Sequence, residues 1–325
     1  MATLRDVARA AGVSPATASR ALSSPHTVSA EKRQQVLQAA ELLGYQPNRS
    51  AQALATGRSG HLGLVLPDLA NPFFASIAKG VQARAREMGM AVLVADSEES
   101  GRLEQDIVDD LQGSVDGVIL CSPRMSEQAI AARADQGPLV LVNRKLDGIP
   151  SVSFDAASGI RQALAHLRAL GHRTVAYVGG PATSWSEGER RRALDAVADV
   201  TVVDIGNHRP VYAGGFAATD LALETGATAV LCYNDLVALG VMNRLRARGL
   251  SVPDEVSVVG FDDIPAATFI TPMLTTVAIP LTRAGREAVD LLASLHDPDA
   301  PPAEPTQLAV ELMVRDSTAP RRAAD

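Results

Sequence analysis

Aromatic residues are scarce in this chain of 325 residues: one Trp, four Tyr and six Phe, or 3%. Its cores must therefore be aliphatic, and an aromatic ring at the end of a strand is a candidate for ligand contact. Cysteine is scarcer. Cys121 and Cys232 lie in apolar runs with no CxxC spacing or histidine neighbour, which excludes a disulfide scaffold and a structural zinc site. No stretch approaches the roughly 18 consecutive apolar residues of a membrane span. The segment Met1 to Val7 has an acid at Asp6 and no apolar core, so no secretory leader is expected and the predicted location is the cytoplasm. GxxxxGK[ST], HExxH, GxSxG and GxGxxG are all missing. With them go the phosphate-loop, zinc-protease, nucleophile-elbow and dinucleotide signatures, and no cofactor or metal is predicted.

What is present is 46% hydrophobic residues, enough for about two domains at roughly 150 residues each. The net charge of −7 conceals an asymmetry. Residues 1–60 hold Arg5, Arg9, Arg20, Lys32, Arg33, Arg49 and Arg58 against only Asp6, Glu31 and Glu41. The remainder carries 23 of the 30 basic and 34 of the 37 acidic groups. A basic head on an acidic body points to a polyanion as partner of the head.

Within the head, Thr3 can cap a short helix that presents Val7, Ala8 and Ala11 on one face, and Gly12 ends it. Ser14 caps a second helix from Pro15 to Leu22, with proline in the first position, where its missing N–H costs nothing. The two follow one another across a turn of about three residues, the spacing of a helix-turn-helix. Ser29 is expected to cap a third, with Val36, Ala39, Ala40 and Leu43 inward and Gly44 closing it. The second helix exposes Thr17, Ser19 and Arg20. Hydroxyls suit phosphate oxygens, and a guanidinium can grip a guanine edge bidentately. A surface helix with solvated polar residues would look similar over this stretch alone. Beyond Pro47 comes an alanine-rich segment too short to persist as a lone helix. Leu54 is its one large apolar side chain, the kind of wedge that minor-groove intercalation needs.

Leu4-Arg5-Asp6-Val7-Ala8 through Ala18-Ser19-Arg20-Ala21-Leu22, then Gly44-Tyr45-Gln46-Pro47-Asn48 and Ala51-Gln52-Ala53-Leu54, resembles the headpiece and hinge of the lactose/galactose-repressor family of bacterial regulators. One departure is Ala18, where that family usually has Val. The resemblance implies base reading by Pro15, Ala16 and Arg20. It implies backbone contacts from Thr3, Ser14, Thr17, Ser19, Tyr45 and Asn48, and a hinge holding Ala51 and the wedge Leu54.

From His61 onward, short apolar strands at 62–66, 91–95, 117–121, 139–142, 152–154, 175–178, 200–205, 229–232 and 256–261 alternate with helical stretches. This alternation predicts an α/β body of doubly wound parallel sheets, two rather than one. A helix over 281–295 and a strand over 308–314 are expected to return to the first sheet, and residues 316–325 to be a frayed end. Ligands of such sheets bind beyond the carboxyl ends of the strands. Asp68, Phe73, Phe74, Ser122, Asn143, Arg144, Asp155, Trp185, Ser186, Arg190, Asn234 and Asp262-Asp263 fall there. Apolar ring faces among Asp, Asn and Arg suit a small polyhydroxylated ligand. Singly, each has a plainer reading as a helix cap, a solvated turn or core.

Asn71-Pro72-Phe73-Phe74, His166 to Arg173, Val258 to Asp263 and Thr271 to Val277 extend the resemblance over residues 3–315. They imply a periplasmic-binding-protein-like core of two lobes, with effector contacts at Phe73, Phe74, Asp155, Trp185, Ser186, Arg190, Asn234 and Asp262. The pattern departs at Ala193-Leu194, and the chain from there to Val200 looks several residues short. The expected organisation is a helix-turn-helix headpiece over 1–46, a hinge over 47–60, a two-lobed effector and dimerisation core over 61–315, and a tail over 316–325. The expected function is a homodimeric regulator, a repressor, on pseudo-palindromic double-stranded DNA, modulated by a sugar-like small molecule. A sugar-active enzyme or a plain sugar-binding protein on the same core is the alternative, and neither would need residues 1–59.

Overall fold

The computed structural model describes residues 2–23, 27–45 and 58–321. The chain forms two compact units that divide at Gly60.

The head holds α1 (Leu4–Ala10), α2 (Pro15–Ser23) and α3 (Ala30–Leu42). Thr3 and Asp6 form a reciprocal capping box on α1, which satisfies two otherwise orphaned donors. Val7, Ala8, Ala18, Ala21, Val36, Ala39 and Ala40 make the core. Alanine dominates it, so the helices approach closely. Two expectations fail in α3. Ser29 makes no side-chain cap bond. Leu43 is 41% exposed, because the helix stops at Leu42 and the last apolar position never completes the inward stripe.

In the body, β1 (His61–Leu66), β2 (Ala91–Asp96), β3 (Gly117–Cys121), β4 (Leu139–Val142), β5 (Ser151–Phe154) and β11 (Thr306–Leu308) form one sheet in the order β11-β5-β4-β3-β1-β2. The second sheet holds β6 (Thr174–Gly179), β7 (Thr201–Asn207), β8 (Ala229–Cys232), β9 (Ser257–Asp262), β10 (Thr275–Ala278) and β12 (Glu311–Met313), ordered β12-β10-β9-β8-β6-β7. All pairs are parallel except β10 with β12. The central strands are buried throughout, as strands covered by helices on both faces must be.

Helices α4 (Pro72–Glu87), α5 (Gly101–Leu111) and α6 (Glu127–Ala134) flank the first sheet, and α7 (Ala156–Ala169), α8 (Trp185–Asp195), α9 (Tyr212–Glu224) and α10 (Asp235–Ala247) the second. A short helix, α11 (Ala266–Phe269), precedes β10. The last helix, α12 (Leu281–Ser294), returns to the first lobe and crosses α4 so closely that a Cβ on Gly80 would lie 2.1 Å from the Thr282 carbonyl oxygen. The chain thus passes between lobes three times, after β5, after β10 and after β11.

The nine predicted strands are present, and β10 is a tenth. Its Thr275 and Thr276 disguise it, yet both are fully buried. Thr275 Oγ1 accepts from Arg315 N at 2.9 Å and Thr276 donates to Asp235 at 2.5 Å. The single tail strand expected over 308–314 is two, β11 in the first sheet and β12 in the second. Residues 316–321 are not frayed. Ser317 is fully buried, accepts from Thr275 N and donates to the Val258 carbonyl, while Arg321 N bonds Leu170 O at 2.8 Å.

Candidate functional site

On the head, Ser14, Pro15, Ala16 and Arg20 form an exposed face of α2. Ser14 Oγ accepts from Thr17 N at 3.1 Å and lies 2.9 Å from the Thr17 hydroxyl, so these two side chains cap the helix. Arg20 reaches back with Nε to the Ala16 carbonyl at 3.3 Å and keeps its guanidinium exposed. Ser19 is half-buried, and Tyr45 packs on the rim of the head core. Thr3 is engaged in its capping box. Asn48, Ala51 and Leu54 lie outside the described residues.

In the body, both sheets have the strand sequence 2-1-3-4-5 and therefore a switch point, β1/β3 in one and β6/β8 in the other. Crevices open at such points. The two meet in one inner compartment lined by Asn71, Phe73, Phe74, Glu99, Ser122, Arg124 and Asn143 from the first lobe and Arg190, Pro210, Tyr233, Asn234 and Asp262 from the second. Its free space is about 20 Å³, room for about one water. Outside it lies a mouth of about 670 Å³ that includes Asp68, Asp96, Glu98, His208 and Arg209.

Backbone strain is concentrated here. Among the described residues, every non-glycine with positive φ follows a strand at this end: Glu98 and Glu99 after β2, Ser122 after β3, Asn143 after β4, and Asp262 and Asp263 at β9. Each costs on the order of 1–3 kcal/mol and persists only where its surroundings enforce it, a pattern typical of ligand sites.

Arg190 is the centre of the second lobe's wall. Its guanidinium carbon sits 3.8 Å from the centroid of Phe261 and 4.4 Å from that of Tyr233. Nη1 donates to the Tyr233 carbonyl, and Nη2 lies 3.8 Å from Asp262. Nε is buried with no partner. Burial pushes the Asp262 carboxyl well above its ordinary range, Arg190 offsets part of that, and Asp235 adds to it. Asp235, fully buried beneath, is pushed up to about 7, chiefly by burial, against the opposing hydrogen bonds from Thr276 and Ile264 N. The next carboxylate, Asp263, turns away to Arg315 at 2.6 Å. Tyr233 is fixed from behind by the hydroxyls of Ser184 at 3.0 Å and Ser186 at 3.1 Å. A Cβ on Gly180 would intrude to 2.4 Å of its ring.

The structure brings Phe73, Phe74, Arg190, Asn234 and Asp262 together. Asn234 also caps α10 through Val237 N, so the cap and the lining roles coincide. Three predicted residues do not line the compartment. Asp155 caps α7 through Ser158 N at 2.9 Å, Trp185 is the half-buried first residue of α8, and Ser186 acts only through Tyr233. Arg144 is buried and donates to the carbonyls of Pro123 and Met125, a loop tie. Glu99, Arg124 and Tyr233 were missed. Glu99 and Arg124 are 25 residues apart and converge only because β2 and β3 flank β1.

No helix among the described residues is long and apolar enough to cross a membrane. The profile of "Bacterial regulatory proteins, lacI family" matches residues 3–48, and that of a periplasmic binding protein-like domain matches residues 164–318. The transcriptional regulator GalS of Salmonella typhimurium is 35% identical, over 90% of this chain and 89% of its own. The regulator DegA of Bacillus subtilis is 31% identical over 98% of each. Among solved structures, the lac repressor dimer bound to operator and the anti-inducer ONPF superposes with a TM-score of 0.83 at 30% identity, covering 98% of this chain and 99% of its own. A CelR–cellobiose complex gives 0.69 at 32% identity, with 98% and 100% covered.

Proposed function

The chain belongs to the lacI family of bacterial regulatory proteins, and from that premise we propose that it is a sequence-specific transcriptional regulator, a repressor, whose hold on operator DNA is set by a sugar bound between its two lobes. The observation that carries this reading is the pairing, on one chain, of the exposed α2 face with a strained, polar interlobe cleft. Relatives bound to cellobiose and to ribose supply the ligand class, and the operator-bound lac repressor dimer supplies the assembly. A two-fold homodimer reads a pseudo-palindromic site because one head offers too few base contacts. In this reading residues 1–46 are the DNA-binding headpiece, residues 47–60 the hinge, and the core runs on to residue 321.

Pro15 and Ala16 shape the contact surface, and Arg20 supplies the polar base reader. In the cleft, Phe73 and Phe74 offer ring faces, while Arg190, Asn234 and Asp262 offer donors and acceptors to hydroxyls. A sugar that binds one arrangement of the lobes better shifts the DNA-binding equilibrium by no more than that difference in affinity. In this reading the cleft binds its ligand without turning it over, as suits a chain whose relatives are transcriptional regulators. A regulator of this kind acts in the cytoplasm.

Fluorescence anisotropy on operator DNA, with and without a sugar found by thermal shift, tests the reading. Asp262→Ala and Arg190→Ala should abolish the sugar response. A response unchanged in both variants would move the effector site out of this cleft.

A further inference from the structure

The inner compartment holds one arginine–carboxylate pair from each lobe, buried in the second lobe and half-buried in the first. On the second lobe it is Arg190 with Asp262. On the first it is Arg124 with Glu99, joined bidentately at 2.6 and 3.2 Å. The Arg124 side chain is only 4% exposed, against 30% for Glu99. Both residues line the same space as Tyr233 and Asp262.

Other bonds besides this ion pair hold its loop. Glu104, fully buried, already accepts from the backbone N–H groups of Arg124 and Met125 at 2.8 Å each. Asn143 Nδ2 donates to Ser122 Oγ at 2.8 Å, and Arg124 Nη1 itself donates to the Ser122 carbonyl at 2.7 Å. A buried ion pair is also weak support for stability, since desolvation offsets most of its attraction. What it does supply is a fixed donor beside a fixed acceptor. That combination matches a vicinal diol, one hydroxyl accepting from the guanidinium while its neighbour donates to the carboxylate.

Resting on the reading of the cleft as a sugar site, we propose that Arg124 and Glu99 bind a diol of the sugar from the first lobe, opposite Arg190 and Asp262, and so determine which sugar is accepted. The ligand is then a neutral polyol with hydroxyls on two opposite edges. It bridges the lobes, and one correctly placed diol alone does not suffice. Because each arginine brings its own carboxylate, the compartment does not favour a sugar carrying a phosphate or carboxylate.

Isothermal titration calorimetry tests this with D-ribose, D-galactose and cellobiose as probes, against wild type, Glu99→Gln, Arg124→Gln and Asp262→Asn. The first two variants should weaken the tightest probe by about 10- to 100-fold, equivalent to about 1.4–2.7 kcal/mol. For the monodeoxy analogue lacking the contacted hydroxyl, wild type and variant should bind alike. A variant that weakens the parent sugar and every deoxy analogue equally acts only on structure, and that result overturns the proposal. So does wild-type affinity in both variants. If only Asp262→Asn weakens binding, the cleft reading stands and the first-lobe pair falls. If no probe binds wild type, or Asp262→Asn is also silent, the cleft reading itself falls, and this proposal with it. Should Arg124→Gln fail to fold, Arg124→Lys keeps the charge but loses the bidentate fork, and the same loss of hydroxyl discrimination is expected.

Discussion

Replacing Arg190 by Met removes the cation that pairs with Asp262 among the described residues while roughly keeping the volume between Phe261 and Tyr233. Two terms set the cost. Stacking on two rings at 3.8 and 4.4 Å is worth about 1–2 kcal/mol in a desolvated setting. The second term depends on Asp262. A buried charge stripped of its partner costs about 3–5 kcal/mol, but a carboxyl can escape by taking up a proton. Burial already drives Asp262 toward that form, and losing Arg190 drives it further.

The sign follows from linkage. A carboxyl whose folded-state affinity for protons exceeds its unfolded value destabilises the fold as pH rises from the unfolded value through the folded one. The penalty of Arg190→Met should therefore be about 1–2 kcal/mol near pH 5 and grow by about 1–3 kcal/mol near pH 8, within the charge penalty just given. Urea denaturation at the two pH values measures it, with wild type subtracted so that other titrating groups cancel. The double variant Arg190→Met/Asp262→Asn should lose the pH dependence and exceed the single variant's stability at pH 8. An equal penalty at both pH values, or a double variant no better than the single one, refutes the ion-pair reasoning.

In the head, Arg20→Ala should weaken operator binding by about 1–3 kcal/mol and relax preference at one position per half-site, read by anisotropy on a set of substituted operators. Leu54→Ala should lose affinity and DNA bending together, measured by circular-permutation gel shift; equal bending by wild type and variant removes the wedge. Asp235→Asn should flatten the fall in stability as pH rises from about 4 to about 7, since the wild-type carboxyl keeps its proton in the fold up to about 7 and gives it up earlier when unfolded; an unaltered slope in denaturation across that range contradicts the assignment. Gly180→Ala should displace the Tyr233 ring and weaken sugar binding more than it lowers Tm, a contrast calorimetry and thermal melting can read side by side.

The sheets were legible because parallel strands are apolar on both faces, and that signal survives without tertiary context. β10 was not, since threonines whose hydroxyls find buried partners read as solvent-facing. The tail was misread because its order depends on Ser317 and Arg321 bonding residues far away in sequence. In the cleft, residues on strand ends in recognisable motifs were found. Glu99 and Arg124 were not, because neither motif nor period links positions 25 apart, and only strand order does. Asp155 and Trp185 mark the converse failure: a strand-end position fixes an address near the cleft but not the direction of the side chain.

The three interlobe passes bear on how the protein is made. The first lobe has nearly all its strands once residue 154 is synthesised, yet α12 and β11 arrive with residues 281–308. At about 5–20 residues per second, the face of α4 that receives α12 waits on the order of 10–40 seconds. During that interval Gly80, which the finished fold holds against Thr282, and Arg84 and Glu87, which pair with Asp290 and Arg286, have no partner helix. The second lobe, lying between, has to be built before the first can close. A chain halted near residue 250 would therefore hold two unfinished lobes, each with apolar surface that a later segment covers.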